Sequence, residues 1–327
     1  MKVAIIGATG FIGRHLCEKC VERGDSVTAL VRNSYAEDFF IRNGASTVRA
    51  EITEESLVST CAGADVVFNL AGALGKWGKS REEMEFVNSV APGMIVACAS
   101  KCGATMVVHA STAGVSGPLP DGTIASEETE SKPVTDYQQT KFDGEIAALR
   151  EHERVGIPLV IVRPAFVYGP GDMHKLSLFK ATRKRRMVLV NGGRSLLHPV
   201  HVNDLVDGML LAAERAQGRG EAIILAGPKP ASTREIVRTI ALSVKVAPPG
   251  LSAPEGLLLG AACIAEAAGR LIGKEPPLTR SRVKLLSENY AYSTKKAETE
   301  IGFRPSIQLA NGIEETARWY LDHGFIR

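Results

Sequence analysis

Short β-branched runs alternate with longer stretches of helical periodicity in the first half of the chain. This alternation predicts strands at residues 2–6, 26–31, 47–50, 65–69, 105–109 and 158–163. Each run gives way to Gly, Pro or polar residues, which end strands. Between them, apolar positions at helical spacing predict helices at 12–23, 80–101 and 137–155, the last rich in Ala, Glu and Leu. Strands separated by helices of crossover length make a parallel sheet covered on both faces. The expected fold is therefore α/β, a doubly wound sheet of Rossmann type.

After Pro164 the rhythm changes to loops and scattered helices, with one more strand-like run at 222–226. Prolines at 248–249 and 276–277 bound an apolar segment, 256–272. This predicts a dinucleotide-binding domain of residues 1–165 plus about 198–226, with a smaller, mostly helical substrate lobe from about 166–197 plus 227–327.

Composition narrows the function classes. In 327 residues the hydrophobic fraction is 45%, the charged fraction 23% and the net charge +3, which is an ordinary globular balance and too small a charge for a polyanionic partner. No nucleic-acid partner is expected. The basic run at 183–186 (RKRR) has no interleaved aromatics and reads as a solvated helix face. Gly7 cuts the N-terminal apolar run short of a signal peptide, and the stretch 256–265 falls well below the about 20 residues that span a bilayer. A soluble cytoplasmic chain with no integral membrane segment is expected. Cys17 and Cys20, like Cys98 and Cys102, fall in predicted helices without matching pairs at zinc spacing, so they read as reduced thiols and no metal site is expected.

The first strand runs into Gly7-Ala8-Thr9-Gly10-Phe11-Ile12-Gly13, which opens the first helix. A helix N-terminus offers unpaired N–H groups to a pyrophosphate, and the glycines allow the turn, the close backbone approach and the helix packing. At the end of the second strand an acidic residue would bind a ribose 2′-hydroxyl. Arg32 and Asn33 stand there instead, and Arg32 suits a 2′-phosphate, which favours NADP while leaving NAD possible.

Tyr137 and Lys141 are four residues apart on a predicted helix, one above the other. An ammonium beside a phenol lowers its pKa, which is expected to make Tyr137 a usable proton shuttle. Tyr292 and Lys296 have the same spacing, so spacing alone does not choose. Position does: Tyr137 follows the 105–109 strand, whose carboxyl end faces the cofactor crevice, whereas Tyr292 is expected far from any such strand. The same strand end delivers Ser111 and Thr112, hydroxyls suited to holding a carbonyl or alkoxide oxygen.

These residues resemble the extended short-chain dehydrogenases/reductases along nearly the whole chain. The matching motifs are GATGFIG from Gly7, NLAGA from Asn69, VN at Val87 and Asn88, HASTAGVSG from His109, YQQTK from Tyr137, RPAFVYGPGD from Arg163 and HVNDL from His201. The resemblance implies that Thr112, with Ser111 beside it, is the active-site hydroxyl, Tyr137 the acid-base group and Lys141 the ribose-binding lysine. It implies that Asn88 steadies that lysine and its water. Leu70, Ala71 and Gly72 would line the adenosine, Pro164 and Val167 would pack near the nicotinamide, and Glu51, with Ile52 beside it, would meet the adenine. A homodimer through the 80–101 and 137–155 helices is also implied.

Departures from the family's patterns bear on the reaction. Dehydratases of this fold place Asp and Glu after the active-site threonine, where Ala113 and Gly114 stand here. Nucleotide-sugar epimerases carry an asparagine and an arginine at the positions of Phe166 and Leu197. Losing both would leave a diphosphate poorly paired, so Ala113, Phe166 and Leu197 are expected to face an apolar substrate. The 256–272 segment is expected to be lobe core in preference to a substrate lid or a membrane contact. The EPPLTRSRVKLL and KKAETEIGFRP segments resemble the dihydroflavonol-4-reductase-like and 3β-hydroxysteroid-dehydrogenase-like branch. The expected activity is NADP-dependent interconversion of a ketone and a secondary alcohol. Two alternatives stand beside it: a nucleotide-sugar 4-epimerase that retains NAD, and a non-catalytic NADP-binding redox sensor.

Overall fold

The structure, a computed structural model, describes residues 1–75, 81–274 and 276–326. In chain order the strands are β1 (Lys2–Ile6), β2 (Ser26–Val31), β3 (Ser46–Arg49), β4 (Val66–Asn69), β5 (Met106–Ala110) and β6 (Leu159–Pro164). The short β7 (Phe166–Tyr168), β8 (Leu189–Val190), β9 (Leu196–Leu197) and β10 (Pro199–His201) follow, then β11 (Arg219–Leu225), β12 (Ala231–Ser232) and β13 (Ser252–Ala253). Seven of them form one parallel sheet in the order β11-β6-β5-β4-β1-β2-β3. The strand order reverses between β1 and β4, which opens a crevice at their carboxyl ends.

The helices are α1 (Phe11–Glu22), α2 (Ser34–Arg42), α3 (Glu54–Cys61), α4 (Arg81–Glu85), α5 (Ala91–Lys101) and α6 (Asp136–Val155). Then come α7 (Leu176–Arg183), α8 (Val202–Arg215), α9 (Thr233–Ser243), α10 (Glu255–Ile272), α11 (Arg280–Ser287) and α12 (Leu309–Asp322). Alternate residues of the strands feed two cores. Ile5, Val27, Phe68, Val108 and Val160 pack with Leu16 of α1 and Met209 of α8 on one face. Ile6, Val67, Val107, Leu159 and Ile161 pack with α3, α5 and α6 on the other.

Element types match the sequence pattern, and the boundaries move. The helix expected at 80–101, whose first residue lies outside the described ones, is broken by a π-helical turn at Phe86–Val90. The final sheet strand starts at Arg219, earlier than the run at 222–226 suggests. In α6 the Thr135 side chain accepts from Gln138 N–H while the Gln138 side chain accepts from Thr135 N–H, so this reciprocal cap starts the helix at Asp136.

The smaller lobe gathers α7, α9 and α12 around Tyr168, Phe179, Leu197, Ile240 and Tyr320. Leu197 is thereby corrected: β9 pairs it with Ala231 of β12, and at 2% exposure it fills the lobe's core instead of facing a substrate. The expectation that 256–272 is lobe core also fails for most of α10. Only Ala262, Glu266 and Gly269 of that helix are buried, while Leu257, Ile264, Leu271 and Ile272 are 67%, 74%, 90% and 68% exposed. Among the described residues no helix is long and apolar enough to cross a membrane.

This contrast has a measurable consequence. Leu197→Ala should cost about 2–5 kcal/mol by urea unfolding because it opens a cavity, whereas Ile264→Gln and Leu271→Gln should each stay within about 0.5 kcal/mol.

Candidate active site

The loop from β1 into α1 is built for close approach. Gly7 has φ +88°, and a Cβ there would lie 2.5 Å from Ala71 N, against the chain leaving β4. A Cβ on Gly13 would lie 2.3 Å from Gly7 O, so only glycine lets α1 sit this tightly on the loop. Gly10 is the N-cap and no side chain caps it, which leaves the first N–H groups of α1 for a ligand. Thr9 is half-buried in the loop, Phe11 stands edge-on to the His15 ring at 5.3 Å, and Ile12 packs onto the sheet core. This cradle fits a dinucleotide pyrophosphate.

Around it, Arg32 is exposed at the end of β2 and makes no ion pair among the described residues, while Asn33 accepts from Ala36 N–H at 2.9 Å and caps α2. Glu51 is exposed after β3, and Ile52 packs on the core. Leu70 is half-buried, Ala71 buried and Gly72 exposed where β4 ends at the crevice. Pro164 closes β6, and Val167 pairs with Val200. Phe166 is half-buried with the Lys175 ammonium 4.5 Å from its ring centre, and Asp172 holds that ammonium at 3.6 Å. The face expected to be apolar thus carries a cation.

Tyr137 and Lys141 lie one turn apart on α6, beside the carboxyl end of β5. Lys141 is buried, and its Nζ donates to Ala110 O at 2.6 Å. Burial pushes the Lys141 ammonium down to about 8 and the Tyr137 phenol up to about 12. The Lys141 ammonium is turned onto the β5 carbonyl, and burial is what raises the Tyr137 phenol here. Asn88 lies in the π-helical turn, where the close approach of Gly144 to Asn88 O brings it against α6. Its Nδ2 donates to Ala73 O at 2.9 Å and to Thr140 Oγ1 at 3.0 Å, and its Oδ1 accepts from Ala73 N–H at 2.9 Å. Asn88 therefore clamps Thr140, the neighbour of Lys141 on α6.

Beyond β5, Ser111 is buried, and its hydroxyl has no partner among the described residues. Thr112 is half-exposed and its Oγ1 accepts from Gly114 N–H at 3.2 Å, capping the short turn Ala113–Ser116. Ala113 is buried at 1% exposure under that turn, so its side chain is packing. Tyr292 is a second correction. It is not remote from the strand ends but packs with Ala113 and Ile224, stacked at 6.4 Å on His198, as a buried support for the turn. It is also not helical, so it shares no helix face with Lys296.

Sequence reasoning missed a buried ion pair. Arg163 Nε and Nη2 donate to Glu145 Oε1 and Oε2 at 2.9 and 2.6 Å, with the side chains 10% and 3% exposed. Tyr137, Lys141 and Glu145 share one helix face at spacings of four, and a carboxylate on that inward face was the available signal. Cys17 and Cys20 are both buried inside α1, their thiols pushed up to about 12 by burial, which leaves them inert.

Residues 3–227 match the family model for the NAD dependent epimerase/dehydratase family. The chain belongs to that family. It is 28% identical over 333 residues to a putative dihydroflavonol 4-reductase of Synechocystis sp., covering 99% of this chain and 95% of that one. It is 30% identical over 323 residues to the 4-hydroxy-2-methyl-3-oxo-4-farnesyl-3,4-dihydroquinoline-1-oxide ketoreductase of Stigmatella aurantiaca, covering 96% and 95%. The structure of UDP-glucuronic acid 4-epimerase from Bacillus cereus in complex with NAD shares the fold, with TM-score 0.77, 21% identity and 99% of each chain covered. The protein is an NAD(P)-dependent enzyme of the extended short-chain dehydrogenase/reductase type.

The buried lysine has a pH signature. Its folded pKa lies below the unfolded one, so above about pH 8 the unfolded chain binds more protons and stability rises with pH until the ordinary lysine value of about 10.4 is reached. Lys141→Met should show a smaller rise over that window than the wild type, measured by urea unfolding at each pH. Equal rises would exclude Lys141 as the source.

Proposed function

We propose that this protein is an NADP-dependent oxidoreductase that interconverts a ketone and a secondary alcohol on a largely apolar small molecule. The observation that carries this reading is the convergence of Tyr137, Lys141, Ser111 and Thr112 on the carboxyl end of β5, beside the crevice where the strand order reverses. When bound, the reduced nicotinamide supplies a hydride. The hydroxyls of Ser111 and Thr112 hold the carbonyl oxygen. Tyr137, its phenol raised to about 12, is protonated at neutral pH and gives its proton to the alkoxide oxygen, which is the stronger base.

Arg32 supports NADP over NAD, because it stands exposed, with no carboxylate partner among the described residues, where a 2′-phosphate would lie. The ketoreductase name of the Stigmatella relative supports a ketone substrate. Half-buried Phe166 supports an apolar one, with Lys175 as the polar group at its edge. Ala113 and Leu197 have no part in this reading. The reading includes a homodimer through α5 and α6, next to which Phe86 and Val90 are 40% and 51% exposed, and a cytoplasmic site of action.

The test is a panel of ketones with NADPH and NADH, followed by nicotinamide absorbance. Tyr137→Phe should lower kcat by about 10²–10⁴-fold while the protein stays folded. Arg32→Ala should reduce the preference for NADPH by about tenfold or more, as expected for losing a charged hydrogen-bond partner. Activity with NADH that exceeds activity with NADPH in the wild type would refute the cofactor assignment, and normal turnover in Tyr137→Phe would refute the proton donor.

A further inference from the structure

Helix α10 has its polarity inverted for a surface helix. Eleven of its eighteen residues are exposed, and ten of those eleven are Gly, Ala, Cys, Ile or Leu, Arg270 being the exception. Its two carboxylates face inward instead. Glu266 is buried and bonded to Arg280 at 2.9 Å, and half-buried Glu255 meets Lys284 at 2.8 Å. Leu257, Ile264 and Leu271 stand seven residues apart, so they form one line down the exposed face. A helix in water buries such a line and exposes its charges. An apolar face of this length, left open, is a surface for something to cover.

Charge points to what covers it. The whole-chain balance of +3 conceals an uneven distribution. Residues 166–197 and 227–327, which hold the smaller lobe, carry 21 Lys and Arg against 11 Asp and Glu, a balance of +10. The rest of the chain carries 18 against 25, a balance of −7. Part of the excess adjoins α10. Lys184, Arg185 and Arg186 are exposed, make no ion pair among the described residues, and lead into β8, which pairs with β13 at the start of α10. Arg183 Nη1 donates to Val244 O at 2.6 Å, which brings this run against the end of α9, where Leu242 and Lys245 are exposed. At the other end of α10, Arg270 and Lys274 are exposed beside Leu271 and Ile272.

Three coverings can be compared. A second copy packed on α10 across a two-fold axis would set these cations against their own counterparts. The helix is also too small for it: about 27 Å by about 11 Å gives about 300 Å², against the about 800 Å² per partner of a stable dimer. A nucleic acid would use the cations and leave the apolar line idle, since no aromatic side chain stands on α10 for a base to stack on. A bilayer containing anionic lipids uses both features. At 18 residues α10 is too short to cross one, so its place is in the headgroup plane.

We propose that α10 and the basic run beside it form a docking surface for an anionic lipid bilayer. Leu257, Ile264 and Leu271 enter the boundary between headgroups and acyl chains, while Lys184, Arg185, Arg186 and Lys274 meet the lipid phosphates. The negative remainder of the chain is repelled by the same surface, which turns the lobe toward it. Neither Tyr137 nor the cofactor takes part, so the surface stands apart from the reductase reading.

The test is sedimentation of the full chain with vesicles of phosphatidylcholine alone and of phosphatidylcholine mixed with phosphatidylglycerol. Binding to the mixed vesicles should be tighter by about tenfold or more, and high salt should remove the difference. Ile264→Gln and Leu271→Gln should each weaken binding to mixed vesicles by about tenfold, with urea unfolding showing that the fold is kept. The triple variant Lys184→Gln, Arg185→Gln, Arg186→Gln should weaken it by about 10²-fold. An environment-sensitive dye on exposed Cys263, in a Cys102→Ser background, should shift to the blue when mixed vesicles are added. No sedimentation with mixed vesicles, undiminished binding by both α10 variants, or a dye that stays in water while the protein sediments would each overturn the proposal. So would a dimer in analytical ultracentrifugation that Leu271→Gln dissociates, which assigns the face to a second copy, or duplex DNA bound as tightly as the mixed vesicles.

Discussion

The carboxyl edge of the sheet depends on how tightly α6 lies on β5 and β6. Two bonds one turn apart on the same helix face hold it there: Lys141 Nζ on Ala110 O at 2.6 Å, and the two-point pair between Glu145 and Arg163. Both are buried, so each removes charge from water and leaves a costly orphan if its partner is lost. Breaking a buried pair of this kind typically costs about 3–5 kcal/mol, far more than a surface ion pair contributes. The close approach of Gly144 to the π-helical turn completes the seating. Once α6 is held this way, Tyr137 is fixed one turn before Lys141, in the first turn of the helix.

The same seating explains a layer of polar side chains within an apolar sheet. Asn69, His109, Ser111 and Arg163 end their strands on the face covered by α6, and Asn88, Thr140, Lys141 and Glu145 come down to meet them. Most of the donors and acceptors are used inside the layer. Such a layer specifies register, because a one-residue slip would move every member to the opposite face and strand it in hydrocarbon.

Much of the architecture was legible in the sequence because the signals were local. Continuous apolar runs marked β4 and β6, and the glycines between β1 and α1 marked the nucleotide loop, whose spacing follows from backbone clearance alone. The failures were of another kind. Leu197 looked like a substrate contact because it stands where epimerases carry a diphosphate-binding arginine, yet the two-residue pairing of β9 with β12 turns it inward. Tyr292 looked remote because sequence distance says nothing about where the returning chain lands, and it lands beneath the turn after β5. The apolar composition of α10 predicted burial, but the helix meets the lobe along a single stripe formed by residues such as Leu258, Leu259 and Ala262. Contacts between segments far apart in the chain decided each of these, and periodicity carries no record of them.

The opposed shifts of Tyr137 and Lys141 bear on how the pair would work. Burial raises the acid and lowers the base, so it favours the uncharged form of both. A phenol raised by burial keeps its proton at neutral pH, as an ordinary tyrosine does, until a stronger base is beside it. Once the proton leaves, the phenolate is a new charge in a poorly solvated place, and the ammonium one turn away becomes the group that stabilises it. Stabilising the phenolate is the same as lowering the pKa of the phenol, so the lysine opposes the upward shift that burial imposes. Its hold on Ala110 O matters for the same reason, because a carbonyl fixes the cation one turn from Tyr137 without neutralising it, and the carboxylate that acts on it, Glu145, is itself engaged by Arg163.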